Sequence, residues 1–297
     1  MRIGYFADGP WAHQALHRIL TMKSIEVAFI MPRYDTRDPV LIEMAEEKGI
    51  PCLFQKNINS SESHQELSSY NCDLFVSLSF NQIFRQKTID LPPLKTINVH
   101  CGKLPFYRGR NILNWALIND EKEFGITVHY IDPGIDTGDI ILQDTLPITD
   151  ADDYGTLLER AYAGCAKILP EALELFTSNQ VKAIKQTAIH PTGFYCGGRK
   201  EGDENLNWNS TSREIFNFTR AICSPGPNAR TQIGDDLVKI KQIALMPDVP
   251  KYAGIPGQVV GKEKDGFIVK TADTVVKVTR YSSSKIIRIG DRLNSNT

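Results

Sequence analysis

An apolar run, Thr96-Ile97-Asn98-Val99-His100, closes on an asparagine and a histidine two positions apart. In a strand that spacing puts both side chains on one face. At the carboxyl end of a strand in an open α/β sheet, such a face borders the crevice where ligands bind. An amide there can donate a hydrogen bond to a developing oxyanion. An imidazole titrates near neutrality and can carry a proton. A neighbouring carboxylate would orient the ring and favour its charged form. The turn-rich stretch Ile131-Asp132-Pro133-Gly134-Ile135-Asp136-Thr137-Gly138-Asp139 offers three acids for that task. The same pattern also suits a strand end and a capped turn. His129, inside its own apolar run, reads as a packed or surface histidine rather than a ligand.

These residues need a frame to hold them. A chain of 297 residues suggests two domains, at roughly 100–200 residues each. Short apolar runs at 2–6, 25–31, 52–54, 74–78, 96–99, 125–131 and 140–146 read as strands. Helical spacing covers 11–21, 39–48, 62–69 and 154–177. Continuous apolar strands between amphipathic helices imply a parallel sheet covered on both faces. The turn after the first strand, Phe6-Ala7-Asp8-Gly9-Pro10, lacks G-x-G-x-x-G, so a dinucleotide site is not indicated. Residues 186–210, with Gly193, Gly197, Gly198 and Gly202, read as a connection. A helix is expected over 212–222. Strands at 236–243, 257–261, 266–270 and 274–279 follow, suggesting a small β-barrel or sandwich. The expected domains are 1–185, a linker at 186–210, and 211–297.

Composition narrows the function classes. Apolar residues make up 41% and charged residues 23% of the chain, as in globular proteins. A net charge of -1 leaves no whole-chain basic footprint for nucleic acid. Cys52, Cys72, Cys101, Cys165, Cys196 and Cys223 are scattered and read as reduced thiols, with neither a zinc nor a redox motif. His13 and His17 lie one helical turn apart without a third ligand nearby, so no metal is expected. The amino terminus turns polar at Asp8, unlike a signal peptide, and no segment reaches the length of a membrane span. A cytoplasmic location without a membrane partner is expected, with a homodimer as the default association.

The motifs also occur in a telling order. N-x-H at Asn98 and His100 is followed by Leu104-Pro105-Phe106-Tyr107-Arg108-Gly109, then Gly125-Ile126-Thr127, then Asp136-Thr137-Gly138-Asp139-Ile140-Ile141. This series resembles the formyltransferase family that uses N10-formyltetrahydrofolate, and the resemblance covers nearly the whole chain. It implies an α/β fold, with a Rossmann-like, mostly parallel sheet. A C-terminal OB-like β-barrel is also implied, as in methionyl-tRNA formyltransferase and the formyltransferase domain acting on UDP-4-amino-4-deoxy-L-arabinose. By the same resemblance, Asn98 donates to the oxyanion, His100 carries the proton and Asp136 orients His100. Gln82, Ile83 and Phe84 would line one side of the pterin, and Asp132, Pro133, Gly134 and Ile135 the other. Arg110 would contact the formyl-folate. Lys103, Tyr107 and Arg108, beside the catalytic strand, are expected to contact the acceptor. The chemistry requires neither a metal nor a covalent intermediate. Two positions depart from the family: Gly102 stands where serine is usual, and Lys103 where leucine is usual.

The acceptor amine is the open question. The methionyl-tRNA enzyme carries a basic insertion after its second strand that grips the acceptor stem. The matching stretch here, Met31-Pro32-Arg33-Tyr34-Asp35-Thr36-Arg37-Asp38-Pro39, is short, with two bases balanced by two acids. Phosphate contacts dominate nucleic-acid affinity. Basic residues near the carboxyl terminus are interleaved with acids, which favours a scaffold role there. The expectation is therefore a nucleotide-linked amino sugar and no nucleic acid, as a step toward a bacterial surface polysaccharide. Formylation of methionyl-tRNA and hydrolysis of formyltetrahydrofolate are the alternatives.

Overall fold

The structure, a computed structural model, describes residues 1–294. In chain order the first elements are β1 (Arg2–Ala7), α1 (Gly9–Ile19), β2 (Glu26–Pro32), α2 (Pro39–Lys48), α3 (Ser61–Ser69), β3 (Leu74–Leu78) and α4 (Gln86–Ile89). Then come β4 (Thr96–His100), β5 (Arg108–Gly109), α5 (Ile112–Ile118), β6 (Glu123–Tyr130), β7 (Ile140–Pro147), α6 (Tyr154–Thr177), α7 (Gln186–Ile189) and β8 (Tyr195–Cys196). The last are α8 (Ser212–Ile222), β9 (Ala229–Ile233), β10 (Asp236–Leu245), β11 (Val259–Glu263), β12 (Gly266–Lys270) and β13 (Val275–Ser283). They gather into two compact units, both discontinuous in sequence. One holds residues 1–109, 124–146 and 159–196; the other holds 110–123, 147–158 and 197 onward.

The first unit is built on a six-stranded sheet in the order β2-β1-β3-β4-β6-β7. β1, β2, β3 and β4 run parallel, while β6 runs antiparallel to β4. The expected parallel α/β sheet is present, and its inner strands are buried on both faces, as their unbroken apolar runs require. The helices have clear local causes. In α1 the buried residues Ala12, Ala15, Leu16 and Ile19 repeat at helical spacing, behind a proline in the first turn. The carboxylate of Asp38 caps α2 by accepting from the Val40 and Leu41 amides, and Gly49 ends it at φ 65. A core of Phe6, Phe29, Phe75 and Phe84 backs β1 and β3, with Phe6 and Phe84 ring centroids 5.1 Å apart. That contact anchors the loop that follows β3.

Some elements escaped the sequence patterns: α4, α5, α7, β5 and β8 are too brief to show a period, and β9, Ala-Arg-Thr-Gln-Ile, has a polar middle that hides it. The strand expected at 52–54 is a single bridge from Cys52 to Ile30. Pro51 before it has no N–H to extend a ladder. Residues 186–210 are more than a connection, because β8 pairs in parallel with β5, Arg108 opposite Tyr195 and Gly109 opposite Cys196. Gly109 sits at φ 96, and a Cβ there would lie 2.5 Å from the Cys196 carbonyl oxygen.

In the second unit, α8 opens with the reciprocal Thr211–Glu214 capping box and packs on β10. The five-stranded sheet, β11-β12-β13-β10-β9, is antiparallel throughout. The all-β carboxyl-terminal region is as expected. Closure into a barrel by strand pairing is not found among the described residues; single bridges link Arg292 to Gln258 and Asn294 to Gln232. All six cysteines are free thiols. No helix among the described residues is long and apolar enough to cross a membrane.

Candidate functional site

The β4–β6 register builds the site. It sets Asn98 opposite His129 and His100 opposite Thr127. Asn98 and His100 therefore share a face, as their spacing predicts, and His129 joins them from the neighbouring strand. His100 is 8% exposed and His129 2% exposed.

Partners assign the ring protons. His100 Nε2 lies 2.7 Å from the Tyr107 carbonyl oxygen, which only accepts, so Nε2–H donates and the neutral ring's lone pair sits on Nδ1. That Nδ1 is 3.6 Å from Asp136 Oδ2. His129 Nδ1–H donates to the Tyr130 carbonyl oxygen at 2.8 Å. Its Nε2 then accepts from the Asn98 amide nitrogen at 3.3 Å. The second Asn98 N–H stays free of that bond. Asp136 Oδ1 lies 3.6 Å from His129 Nε2, so the carboxylate stands between two imidazoles. Its Oδ2 accepts the Gly109 N–H at 2.8 Å. Burial is the main force on His129 and pushes its pKa down to about 4, with the Asp136 carboxylate opposing and the neighbouring His100 acting in the same direction as burial. Neutral His129 is the form that accepts from Asn98.

Gly102 shows why this site differs from the serine-bearing pattern. A Cβ at Gly102 would lie 2.4 Å from His100 Nε2 and 2.4 Å from the Tyr107 oxygen. The His100–Tyr107 hydrogen bond occupies the space a side chain would need.

The other expected site residues are placed unevenly. Tyr107 is 8% exposed, its ring against Phe194 at 4.9 Å, so its visible contribution is its carbonyl. Lys103 is exposed, its backbone against Gly125. Arg108 directs Nε and Nη2 to Gln186 Oε1 and stacks 5.5 Å from the Tyr195 ring centroid. Gln82 spends its side-chain amide on the Gln55 carbonyl and the Ile58 N–H, while Phe84 is core. Ile83 and Ile135 are exposed, 64% and 54%. Pro133 and Gly134 are exposed in the loop after β6, where Asp132 accepts from the Gly134 N–H and the Thr137 hydroxyl. Arg110 belongs to the second unit. His129 and Gln186 were not anticipated. Only the strand register reveals His129, and nothing in the sequence marks Gln186.

Comparisons with known proteins identify the family. The formyl transferase family model matches residues 8–173, and the model of the formyl transferase C-terminal domain matches 199–297. A methionyl-tRNA formyltransferase of Citrifermentans bemidjiense is 31% identical over 260 residues, 87% of this chain and 80% of that protein. One from Kosmotoga olearia is 30% identical over 83% of this chain and 79% of its own length. In fold, the sugar 3N-formyl transferase WlaRD, solved in the presence of dTDP and 5-N-formyl-THF, superposes with a TM-score of 0.70 at 23% identity, over 96% of this chain and 99% of its own. The Helicobacter canadensis N-formyltransferase in complex with folinic acid and dTDP-3-aminofucose gives 0.71 at 22% identity, over 94% and 99%. The chain belongs to the formyl transferase family and is an enzyme of formyl-group transfer.

Proposed function

We propose that this formyltransferase moves the formyl group of N10-formyltetrahydrofolate to the amine of a nucleotide-linked amino sugar. The observation that carries the chemistry is the Asn98, His100 and Asp136 cluster at the carboxyl end of β4. The amine attacks the formyl carbon; a C–N bond forms and a tetrahedral oxyanion develops. The free Asn98 N–H donates to that oxyanion, a contribution of about 3–4 kcal/mol in comparable sites. His100 Nδ1 takes the amine's proton, and Asp136 stabilises the imidazolium. The proton then passes to the folate nitrogen as its bond to the formyl carbon breaks. The exposed Ile83 and Ile135, in the loops after β3 and β6, suit the two faces of a flat pterin.

The acceptor reading rests on residues 31–39. Arg33 Nε donates to the Ser79 carbonyl oxygen at 2.8 Å, and Nη1 pairs with Asp8 at 3.4 Å. Arg37 lies over the rings of Tyr34 and Phe54, at 5.5 and 5.2 Å. Both bases of the loop are engaged by the protein itself, which leaves little for a phosphate backbone. An amino sugar bearing a diphosphate suits the cationic Arg108 and Lys103 beside the catalytic strand. The C-terminal sheet, bridged at Arg292 and Asn294, is read as an OB-like scaffold. One observation favours a second reading: the relatives at 30–31% identity are methionyl-tRNA formyltransferases. The test offers N10-formyltetrahydrofolate with a panel of nucleotide amino sugars, with charged initiator tRNA, and with no amine, following tetrahydrofolate release. Turnover with a sugar alone supports the proposal. Turnover with tRNA alone overturns the sugar reading, and turnover without an amine makes the protein a hydrolase.

A further inference from the structure

Gln186, at the start of α7, is 3% exposed. Its Nε2 donates to the carbonyl oxygens of Asp136 and Gly138, each at 2.8 Å. Its Oε1 accepts from Arg108 Nε at 3.1 Å and Nη2 at 2.6 Å. A glutamine amide offers two donors and two acceptor lone pairs. All are used here, so one side chain ties together three segments that are remote in sequence.

Both ends of this tie matter. Asp136 sits at φ 53, in the left-handed region. For a residue other than glycine that conformation is disfavoured and persists where the surroundings enforce it. Gln186 holds the Asp136 carbonyl, and the Gly109 N–H holds its carboxylate. At the other end, Arg108 forms no ion pair among the described residues; its partners are the Gln186 amide and the Tyr195 ring. A neutral amide orients a guanidinium without neutralising it, which leaves the charge available to an anion. Tyr195 is 56% exposed, so this cation has an open aromatic wall beside it.

We propose that Gln186 is a positioning residue that locks Arg108, the cation receiving the acceptor's phosphate, to Asp136, the carboxylate beside His100. Acceptor and proton-transfer groups are thereby placed as one unit. This rests on the roles given above to Asp136 and His100. It adds to them a specific dependence of both turnover and acceptor affinity on a residue that touches neither reactant.

The test uses full-length Gln186→Leu, Gln186→Glu and Arg108→Met. The first readout is hydrogen exchange over residues 130–140 in the ligand-free protein. Gln186→Leu and Gln186→Glu should both exchange faster there, since both lose the two amide donors, while Arg108→Met should match wild type. The second is steady-state kinetics with dTDP-3-aminofucose or charged initiator tRNA, whichever turns over. Gln186→Leu should lower kcat about tenfold or more, the usual scale for misplaced catalytic groups, with the folate KM within about twofold. It should also raise the acceptor KM, and Arg108→Met should reproduce that rise. Gln186→Glu keeps an acceptor for Arg108 but neutralises it, so it should also raise the acceptor KM. A folded Gln186→Leu or Gln186→Glu with wild-type exchange over 130–140, or with wild-type kcat and acceptor KM, overturns the proposal. Failure of the underlying site reading shows separately, as normal turnover by His100→Ala, and leaves the exchange result standing.

Discussion

His129 stands directly opposite Asn98 across β4 and β6, and its Nε2 lies 3.3 Å from the Asn98 amide nitrogen. The Nδ1–H of the same ring is spent on the Tyr130 carbonyl. A neutral His129 therefore fixes which end of the Asn98 amide meets it, and that choice leaves an N–H available to the oxyanion. Protonating His129 would remove the acceptor and repel that N–H.

The first prediction concerns pH and stability. The native pKa of His129 is depressed to about 4 by burial, against an ordinary histidine value of 6.5. Between these values the unfolded chain binds a proton that the native site refuses. Stability therefore falls on acidification from pH 6.5 toward 4, by up to about 1.4 kcal/mol per pH unit from this group. Above pH 6.5 the contribution is fully present, and below 4 no further loss follows. Denaturant unfolding across that range should show a shallower pH slope for His129→Gln than for wild type. Equal slopes would exclude His129 as the source.

The second prediction separates Asn98 from folate binding. Asn98→Ala should lower kcat by about 10²–10³-fold, the scale of a lost oxyanion donor, with little change in the KM for formyl-folate. A loss confined to KM would place Asn98 in ground-state binding instead.

Gly102 gives the third. Gly102→Ser restores the usual family residue but puts its Cβ where the His100 and Tyr107 partners now meet. Overpacking of this kind costs about 1–3 kcal/mol, so the variant should unfold at lower denaturant concentration and turn over more slowly. A variant of unchanged stability and rate would show that His100 has a second productive position.

The acceptor class predicts a salt response. A small nucleotide sugar releases few counterions, so its KM should change only a few-fold between 50 and 200 mM salt, whereas a protein making 6–10 phosphate contacts would lose about 10³–10⁵ in affinity. Steep salt dependence of kcat/KM would point to the tRNA reading.

Much of this was legible in residue types and spacing. The N-x-H run on an apolar strand placed Asn98 and His100 on one face, because alternation is a local property of extended chain. The unbroken apolar strands gave the parallel sheet, and the ordered motifs gave the formyl transferase family. The elements too short to carry a period, such as β5 and β8, were not legible, although their pairing brings Tyr195 beside Arg108.

What only the tertiary structure decided is who meets whom. His129 was an unremarkable strand residue until the antiparallel register set it against Asn98. Gln186 lies in a stretch read as a connection, and only folding brings its amide onto Asp136, Gly138 and Arg108. Gly102 looked like a departure from a family pattern and became the space in which His100 bonds to Tyr107. Local sequence sets which face a side chain takes and what chemistry it offers. Register and loop return set its partners, and those assign a proton to one ring nitrogen rather than the other.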